Sequence, residues 1–384
     1  MRIAILTSLL FHEVAEIHGK DRIVWGGAER YTYELTQLLS SMGHDVAVYQ
    51  SLQQNVMRDG KAQRAKCGQL EKDFYGVPVM CLPETDGWGY STNPKLNMLF
   101  NEISLFFDLS IFMVTFLAWP FVPKNSITIS HGIFWDYPQH AVNDYTDEDR
   151  REFFKRQLYG FTAPDACVAV DSNVRRVIAS MSPGSESRIY VIPNFVDTKK
   201  FVPTKKTWEG IRVLCPRRLT QLRGCNDLIV ASQQYPEYQY LSVGQAGSEF
   251  LDRKAKAWGE SMPNLRFVNM PMEEMHKVYQ QSDIAVIPTR ACEGLSLSLL
   301  ESMSCGLPVV ATTVGGLCEA VISGYNALVY EPNHGGLGKC IDVLAKDQGM
   351  RERMGRRNRE IAVECFDIEI WRDQWRGLIK NFGG

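Results

Sequence analysis

The sequence has no large excess of charge of either sign and no cysteine pair spaced for a metal. Its 384 residues include 42 Lys+Arg and 44 Asp+Glu, a formal net charge of −2, and 45% are hydrophobic. This balance disfavours both a disordered chain and a nucleic-acid partner. The ten cysteines contain no C-x-x-C pair and mostly lie in apolar runs, as Cys167 does in DACVAV. We interpret them as reduced core residues of a cytoplasmic protein, without a zinc site or disulfide framework.

Long uninterrupted hydrophobic runs are also missing. No small-residue cleavage site follows the amino terminus MRIAILTSLLF, so a buried first strand is a better interpretation than a signal peptide. The most apolar stretch begins at Ile103, is interrupted by Asp108 and ends at Pro120 and Pro123, which is too short to span a bilayer. It predicts a buried strand and a short helix. The alternative is an apolar surface that rests on the inner face of a membrane.

Short β-rich runs alternate with helical patterns along most of the chain, which predicts α/β units with parallel sheets covered on both faces. The predicted strands are residues 3–6, 46–49, 77–82, 109–114, 127–130, 167–170, 190–192, 213–214, 240–243, 266–268, 284–287, 309–311 and 327–330. A helix is predicted around Tyr31 to Met42, and a closing helix in the tail.

The composition changes at residues 193–210, which are polar, basic and contain two prolines, as expected of a linker. We therefore predict two doubly wound Rossmann-like domains that face each other across a cleft. The amino-terminal domain covers 1–200 and the carboxy-terminal domain 205–366. Residues 367–384 are expected to form a helix that packs back on the amino-terminal domain.

Ligands of open parallel sheets bind beyond the carboxyl ends of the strands. The richest such segment is RACEGLSLSLLESMSCGLPVVATTVGG, in which Glu293 follows strand 284–287 and Glu301 lies on a helix predicted to start near Ser298. A loop of small residues before a helix offers N–H groups and a positive dipole end to a phosphate. The two carboxylates could hold different hydroxyls of one ligand. Alternatively, Ser298 and Glu301 form a capping box that only ties down the helix start.

A basic segment, CPRRLTQLRGCNDLI, follows strand 213–214 and places Arg217, Arg218 and Arg223 around the start of another helix. Arginine can bind phosphate oxygens bidentately, so these three could neutralise a diphosphate leaving group. The alternative is a solvated basic loop.

Two weaker features lie in the amino-terminal half. VWGGAERY places Gly26 and Gly27 directly before a helix, where the backbone can approach a ligand, although such a pair is often only a turn. ITISHGIF ends a strand with His131. A lone histidine is more often structural, but a position at the carboxyl end of a strand favours a role in binding.

Together these segments resemble the retaining glycosyltransferases of family 4, which have the GT-B fold. EGLSLSLLESMSCGLPVVAT is similar to the E-x7-E signature, and GGAER, SHG, PNFVD and RRLTQLRG agree with neighbouring parts of the pattern. The agreement is strongest over 217–316 and weakest over about 50–128, which usually belongs to the acceptor side. The sequence departs from the pattern at Arg223, usually Lys, at Phe195, often Gly, and at 296–298, commonly Gly-rich.

The resemblance implies a role for each matching residue. Glu293 would contact the hydroxyls of the donor sugar, Glu301 would accept hydrogen bonds from the ribose, and Arg218 and Arg223 would stabilise the diphosphate. His131 would point toward the sugar. Further donor-binding positions are Gly26, Gly27, Gly294, Leu295, Ser296, Leu297, Arg217 and Met270, the last through its backbone near the base.

The implied reaction moves a sugar from a nucleotide diphosphate sugar to a hydroxyl of a glycan, polysaccharide precursor or lipid-linked acceptor, with retention. No Asp-x-Asp motif is poised for a metal, so no cofactor is expected. Alternatives are a GT-B-like sugar-nucleotide epimerase or phosphorylase, and a non-catalytic nucleotide-sugar binding protein. A nicotinamide dehydrogenase is disfavoured because no G-x-G-x-x-G follows the first strand and Tyr49-Gln50 ends the second, where a ribose-binding acid is required.

Overall fold

Two mostly parallel β-sheets organise the chain, each in its own unit of the computed structural model. The structure describes residues 1–7, 11–12, 22–23, 26–51, 55–58, 61–64, 71–74, 76–82, 94–135, 146–244, 249–332 and 335–383. Among these, unit 1 holds the residues up to 135, then 146–192 and 375–383. Unit 2 holds residues 193–374.

The described strands of unit 1 are β1 Arg2–Thr7, β2 Phe11–His12, β3 Arg22–Ile23, β4 Asp45–Ser51, β5 Asn55–Arg58, β6 Lys61–Arg64, β7 Glu71–Phe74, β8 Val77–Leu82, β9 Leu109–Phe112, β10 Ser126–Ser130, β11 Ala166–Ala169 and β12 Ile189–Val191. The main sheet runs in the order β12-β11-β10-β9-β1-β4-β8-β7. Its pairs are parallel except for β7 against β8. Its helices are α1 Gly27–Ser41, α2 Pro94–Ser104, α3 Asp147–Thr162 and α4 Ser172–Met181.

The described strands of unit 2 are β13 Arg212–Cys215, β14 Gln239–Val243, β15 Leu265–Val268, β16 Ile284–Ile287, β17 Val309–Ala311 and β18 Ala327–Val329. They form one parallel sheet in the order β15-β14-β13-β16-β17-β18. Its helices are α5 Cys225–Gln234, α6 Glu249–Ser261, α7 Met275–Gln280, α8 Leu297–Ser304, α9 Gly336–Lys346 and α10 Gln348–Cys365. A last helix, α11 Ile368–Lys380, starts in unit 2 and ends in unit 1.

The α/β prediction is confirmed strand by strand. Every predicted strand is found, with bounds that differ by at most two residues. Periodicity succeeds here because central strands of a parallel sheet are buried on both faces and are therefore apolar throughout. In β16, for example, all four residues of the sequence IAVI are fully buried.

The sheet order of unit 2 fixes where a ligand site can lie. Strand β13 pairs with β14 on one side and with β16 on the other. The connections that follow β13 and β16 therefore run in opposite directions across the sheet, and their loops lie side by side at its carboxyl edge. Such a switch point is where ligands of doubly wound sheets bind.

The apolar stretch from Ile103 folds as predicted, into the end of α2, the buried strand β9 and a short 3-10 helix at Thr115–Ala118. Leu105 and Phe106 remain 79% and 68% exposed. In the part of the chain that the structure describes, no helix combines the length and the apolar character that crossing a bilayer requires.

The segment 193–210 is more than the linker that its composition predicts. Phe195, Val196 and Phe201 in it are fully or almost fully buried. Val196 pairs with Asp367 in an isolated parallel bridge, and the ring of Phe195 lies 4.5 Å from that of Trp371. These apolar residues are therefore part of the core of unit 2. The sequence did not predict this because most residues of the segment are polar or basic.

The cysteine prediction holds only in part. Cys167, Cys215, Cys225 and Cys305 are buried, and burial raises the pKa of the Cys167 and Cys215 thiols to about 12. The other described cysteines are less buried, and Cys318 and Cys365 are exposed, so they are not core residues. The eight cysteines whose side chains the structure describes form no disulfide bond.

The tail helix predicted by apolar spacing is observed as α11. Its residues Trp371, Trp375, Leu378 and Ile379 are buried. Within unit 1, the indole N–H of Trp375 donates to the hydroxyl of Tyr31 over 2.8 Å. This bond attaches the end of the chain to helix α1.

At Gly355, helix α10 touches the backbone of the turn that ends α8. A Cβ atom at this position would lie 2.1 Å from the carbonyl oxygen of Gly306, directly after α8, whereas a Cβ at Gly259 in α6 meets nothing within 4 Å. We expect Gly355→Ala to destabilise the protein by about 1–3 kcal/mol through overpacking. Gly259→Ala should stabilise it by about 0.5–1 kcal/mol through helix propensity. Urea denaturation measures both, and equal effects of the two substitutions would contradict this packing.

Candidate functional site

The candidate site lies at the carboxyl edge of the sheet of unit 2. The loop after β13 carries Arg217, Arg218 and, in a 3-10 turn at Gln221–Arg223, the third arginine. The loop after β16 carries Glu293 and leads into α8. The parallel pairing of β13 with β16 brings these two segments, some 70 residues apart in sequence, side by side.

A buried arginine, Arg217, connects three parts of this edge. One terminal nitrogen, Nη1, donates to the hydroxyls of Ser296 at 2.6 Å and Ser298 at 3.1 Å. The other, Nη2, donates to Thr289 Oγ1 at 3.0 Å and forms an ion pair with Glu293 Oε1. Because a buried charge is costly unless it is paired and hydrogen-bonded, this network fixes the guanidinium in place.

The carboxylate of Glu293 is held from both sides. Its oxygen Oε1 takes the ion pair with Arg217 and accepts a hydrogen bond from Thr289 Oγ1 at 2.6 Å. Its oxygen Oε2 forms an ion pair with Arg223, whose side chain is 29% exposed. The site thus places one buried carboxylate between a buried and a partly exposed arginine.

The backbone of Glu293 is also fixed. Its carbonyl oxygen accepts a hydrogen bond from the N–H of Gly316 at 2.7 Å. The preceding residue, Gly315, has φ +62°, and a Cβ there would lie 2.2 Å from the same oxygen. Only glycine allows this approach, which explains why position 315 is glycine.

The two loops are braced by Arg290. Its backbone N–H donates to the carbonyl oxygen of Leu222 at 2.9 Å, next to Arg223, and its guanidinium pairs with Asp227 at the start of α5. The hydroxyl of Tyr330 donates to Asp227 at 3.0 Å. Burial and the neighbouring Asp227 raise the pKa of Tyr330, so its hydroxyl stays protonated and serves as the donor.

The capping-box alternative for Glu301 is wrong. Helix α8 begins at Leu297 after the N-cap Ser296, so Ser298 lies inside the helix and Glu301 is two residues too far along to cap it. The carboxylate Oε2 of Glu301 instead accepts a hydrogen bond from the hydroxyl of Tyr279 at 2.6 Å. Glu301 is 7% exposed and Tyr279 fully buried, so α7 orients this second carboxylate.

The segment from Gly294 to Leu297, which should receive a phosphate or sugar, forms the entry to α8. The first N–H groups of a helix have no partner within it and carry its positive dipole end. The carbonyl of Leu295 accepts a hydrogen bond from the amide of Asn194, in PNFVD. Ser296, a departure from the Gly-rich family pattern, serves here as a partner of Arg217.

Two of the predicted site residues, Arg218 and Met270, lie outside the network around Glu293. Arg218 is exposed, in contrast to Arg217, although the two are adjacent in the sequence. Met270 is half-buried and packs on the core of unit 2 just after β15. The structure thus brings Arg217, Arg223, Glu293 and Ser296 into one network and leaves these two outside it.

The predicted residues of unit 1 lie in a different environment. Gly26 is the N-cap of α1 and Gly27 its first residue. The ring of His131 contacts that of Tyr31 edge-on, with centroids 5.3 Å apart, and its buried Nε2 has no hydrogen-bond partner within the described residues. Burial lowers the pKa of His131 to about 4, so the imidazole is neutral at pH 7.

Several residues that shape the site were missed by sequence reasoning. Thr289 lies in the loop after β16, separated from the strand only by Pro288, so the rule that ligands bind at strand ends could have found it. Tyr279 and Asp227 carry no such signal, because only the packing of α7 and α5 brings them to Glu301 and Arg290. The arrangement provides two oriented carboxylates that can accept hydroxyl hydrogen bonds, with arginine charge and a helix amino end beside one of them.

Two family models match adjoining parts of the chain. The model described as Glycosyltransferase Family 4 matches residues 25–200, and that described as Glycosyl transferases group 1 matches residues 197–361. A D-inositol 3-phosphate glycosyltransferase from Corynebacterium urealyticum is 29% identical over 233 residues, which cover 52% of this chain and 54% of that protein. This chain therefore spans about half the length of that relative.

Two solved structures have a fold similar to that of this chain. Sucrose-phosphate synthase from Thermosynechococcus elongatus has a TM-score of 0.76 and 17% identity, and the match covers 99% of this chain and 98% of that one. HepE from Anabaena, in complex with UDP and glucose, has a TM-score of 0.72 and 16% identity over 99% of both chains. At these identities the likeness shows the fold.

The two adjacent arginines provide a matched test of the network. We expect Arg217→Met to lower the free energy of unfolding by about 3 kcal/mol, because it leaves the buried carboxylate of Glu293 without the positive charge of Arg217. Arg218→Met, at an exposed position, should change it by less than about 0.5 kcal/mol. Urea denaturation compares the two, and a similar small loss for both would contradict the role of Arg217 in the fold.

The buried imidazole predicts a pH dependence of stability. The pKa of His131 is about 4 in the folded protein and close to 6.5 in the unfolded chain. Between these values the unfolded state binds more protons, so the free energy of unfolding falls as the pH is lowered from about 6.5 to 4. His131→Gln should remove this part of the pH dependence. An NMR titration of His131 tests the cause directly, and a midpoint near 6.5 would contradict it.

Proposed function

We infer the function from the family to which the chain belongs, the glycosyltransferases of family 4, with the GT-B fold of two Rossmann-like domains. We propose that it transfers a sugar from a nucleotide diphosphate sugar to an acceptor hydroxyl, with retention at the anomeric carbon. The observation that carries the proposal is the carboxylate of Glu293, held between two arginines at the switch point and directly before α8.

The donor is proposed to bind across the two carboxylates. Glu293 would accept hydrogen bonds from sugar hydroxyls near the reacting carbon, and Glu301, oriented by Tyr279, would accept them from the ribose. The N–H groups of residues 294–297 would receive the distal phosphate or the sugar. Met270 lies after β15, where its backbone could contact the base. The complex of HepE with UDP and glucose is consistent with a uridine nucleotide, which we propose as the first donor to test.

The chemical task is to stabilise charge on the leaving diphosphate while the anomeric carbon becomes oxocarbenium-like. Arg223, Arg218 and the amino end of α8 are proposed to do this, since preorganised donors at a developing charge are each worth a few kcal/mol. The leaving phosphate can itself take the acceptor proton, so no protein base is required. Because these arginines and the helix N–H groups can stabilise the charge of the diphosphate, we propose a reaction that needs neither a metal nor another cofactor.

The acceptor is proposed to be a hydroxyl of a glycan, a polysaccharide precursor or a lipid-linked glycan. His131, Gly26 and Gly27 are also proposed as donor-binding residues. The exposed Leu105 and Phe106 provide apolar surface that is compatible with peripheral contact at the inner face of a membrane. We propose a cytoplasmic setting, in keeping with eight cysteines whose described side chains form no disulfide bond.

Nucleotide binding tests the donor site first. We expect one of UDP, GDP, ADP and dTDP to raise the stability of the wild type in the presence of chelator. A ligand at about a hundred times its dissociation constant adds about 2.7 kcal/mol. Glu301→Ala should abolish this thermal shift, whereas Glu260→Ala, on the exposed face of α6, should leave it unchanged.

The reaction is then tested with the sugar nucleotide of the stabilising base. Transfer to a hydroxyl acceptor in chelator, with the anomeric configuration retained in the product by NMR, is the expected outcome. Turnover that disappears in chelator would contradict metal independence. Inversion of configuration would contradict the retaining mechanism, and nucleotide binding without transfer would favour a binding protein.

A further inference from the structure

The two arginines that hold Glu293 differ in how firmly they are held. The side chain of Arg217 is 8% exposed and bonds to Thr289, Ser296 and Ser298 as well as to Glu293. Arg223 reaches Glu293 from a 3-10 turn, and 29% of its side chain is exposed. Withdrawing Arg217 would therefore break four interactions in a buried site, whereas the more exposed side chain of Arg223 can turn toward a ligand with a smaller change in solvation.

The two arginines also use different oxygens of the carboxylate. Oε1 takes both Arg217 and Thr289, which fills the two acceptor positions of that oxygen. Oε2 takes Arg223. If Arg223 leaves, Oε1 keeps its partners, the carboxylate keeps its orientation, and Oε2 becomes an acceptor for another donor.

The charges favour such an exchange when a diphosphate arrives. Arginine binds phosphate oxygens bidentately, and a diphosphate carries more negative charge than a carboxylate. Glu293 keeps its ion pair with Arg217, so the exchange leaves no unpaired charge in the buried part of the site. A single ion pair to Glu293 would not have this property.

We propose that Arg223 exchanges partners when the donor binds, from Glu293 in the free protein to the diphosphate, and thereby frees Oε2 of Glu293 for a sugar hydroxyl. Arg217 is the positioning residue that keeps the carboxylate in place during the exchange. This inference rests on the proposed function and adds to it a coupling between recognition of the diphosphate and of the sugar.

The exchange predicts that a substitution of Glu293 increases the affinity for the diphosphate, whereas substitution of a site residue usually lowers affinity. In the free protein the Glu293 carboxylate competes with the diphosphate for Arg223, so removing its charge should tighten diphosphate binding. We expect Glu293→Gln to bind the nucleoside diphosphate that stabilises the wild type about tenfold more tightly. This change in affinity lies within the usual range of coupling free energies in proteins. The transfer activity of the variant should fall. Glu260→Gln removes the same charge at an exposed position of α6 and should leave the affinity unchanged.

A double-mutant cycle separates the exchange from a general effect of charge. In an Arg223→Met background the competition no longer exists, so Glu293→Gln should give no further gain in affinity by calorimetric titration. A gain that persists in that background would overturn the proposal, as would unchanged or weaker binding by Glu293→Gln in a wild type that binds the diphosphate. Absence of binding by the wild type to all four nucleoside diphosphates would overturn the proposed function, and the exchange with it.

A second measurement uses the wild type alone, in case Glu293→Gln does not fold. The side-chain NMR signals of the two arginines can be assigned through Arg217→Lys and Arg223→Lys. Addition of the diphosphate should shift the guanidinium signals of Arg223 and leave those of Arg217 in place. Equal shifts of both, or a shift of Arg217 alone, would overturn the exchange.

Discussion

The buried ion pair between Arg217 and Glu293 is the interaction on which the candidate site depends. A charge inside a protein is tolerated only when it is paired and its hydrogen bonds are satisfied. Here that requirement draws the ends of β13 and β16 and the start of α8 together, through Thr289, Ser296 and Ser298. The carboxylate is consequently fixed before any ligand arrives, which is what a preorganised site requires.

The parallel sheet provides the frame for this pair. Because β13 lies between β14 and β16, the loops after β13 and β16 meet at the carboxyl edge where the connections diverge. Arg290 then sets the spacing between them, through the carbonyl of Leu222 and the carboxylate of Asp227. The glycine at 315 allows the β17 loop to close over the backbone of Glu293. Each of these contacts constrains the backbone, so the geometry of the site is a property of the fold.

The arrangement divides the work between fixed and movable charge. Arg217 is buried and bonded through both terminal nitrogens, so its contribution is to position Glu293, whereas the partly exposed Arg223 is able to meet a ligand. Glu301 is a second fixed acceptor, oriented from α7 by Tyr279. This division would suit the proposed transfer reaction, whose donor carries a diphosphate and a sugar that must be recognised together.

Sequence reasoning predicted the strands of both sheets except β7, the two Rossmann-like units and the positions of Glu293 and Glu301, because apolar runs, strand ends and the E-x7-E spacing are local patterns. It missed β7 and the short strands β2, β3, β5 and β6. It did not reveal that residues 195–201 join a core, that Glu301 bonds to Tyr279, or that Asp227 braces the site. Those contacts join residues distant along the chain. Most clearly, Arg217 and Arg218 are chemically identical neighbours, yet the fold buries one against Glu293 and leaves the other exposed to solvent. Adjacent side chains leave the backbone in different directions, and the packing around them determines which direction is buried.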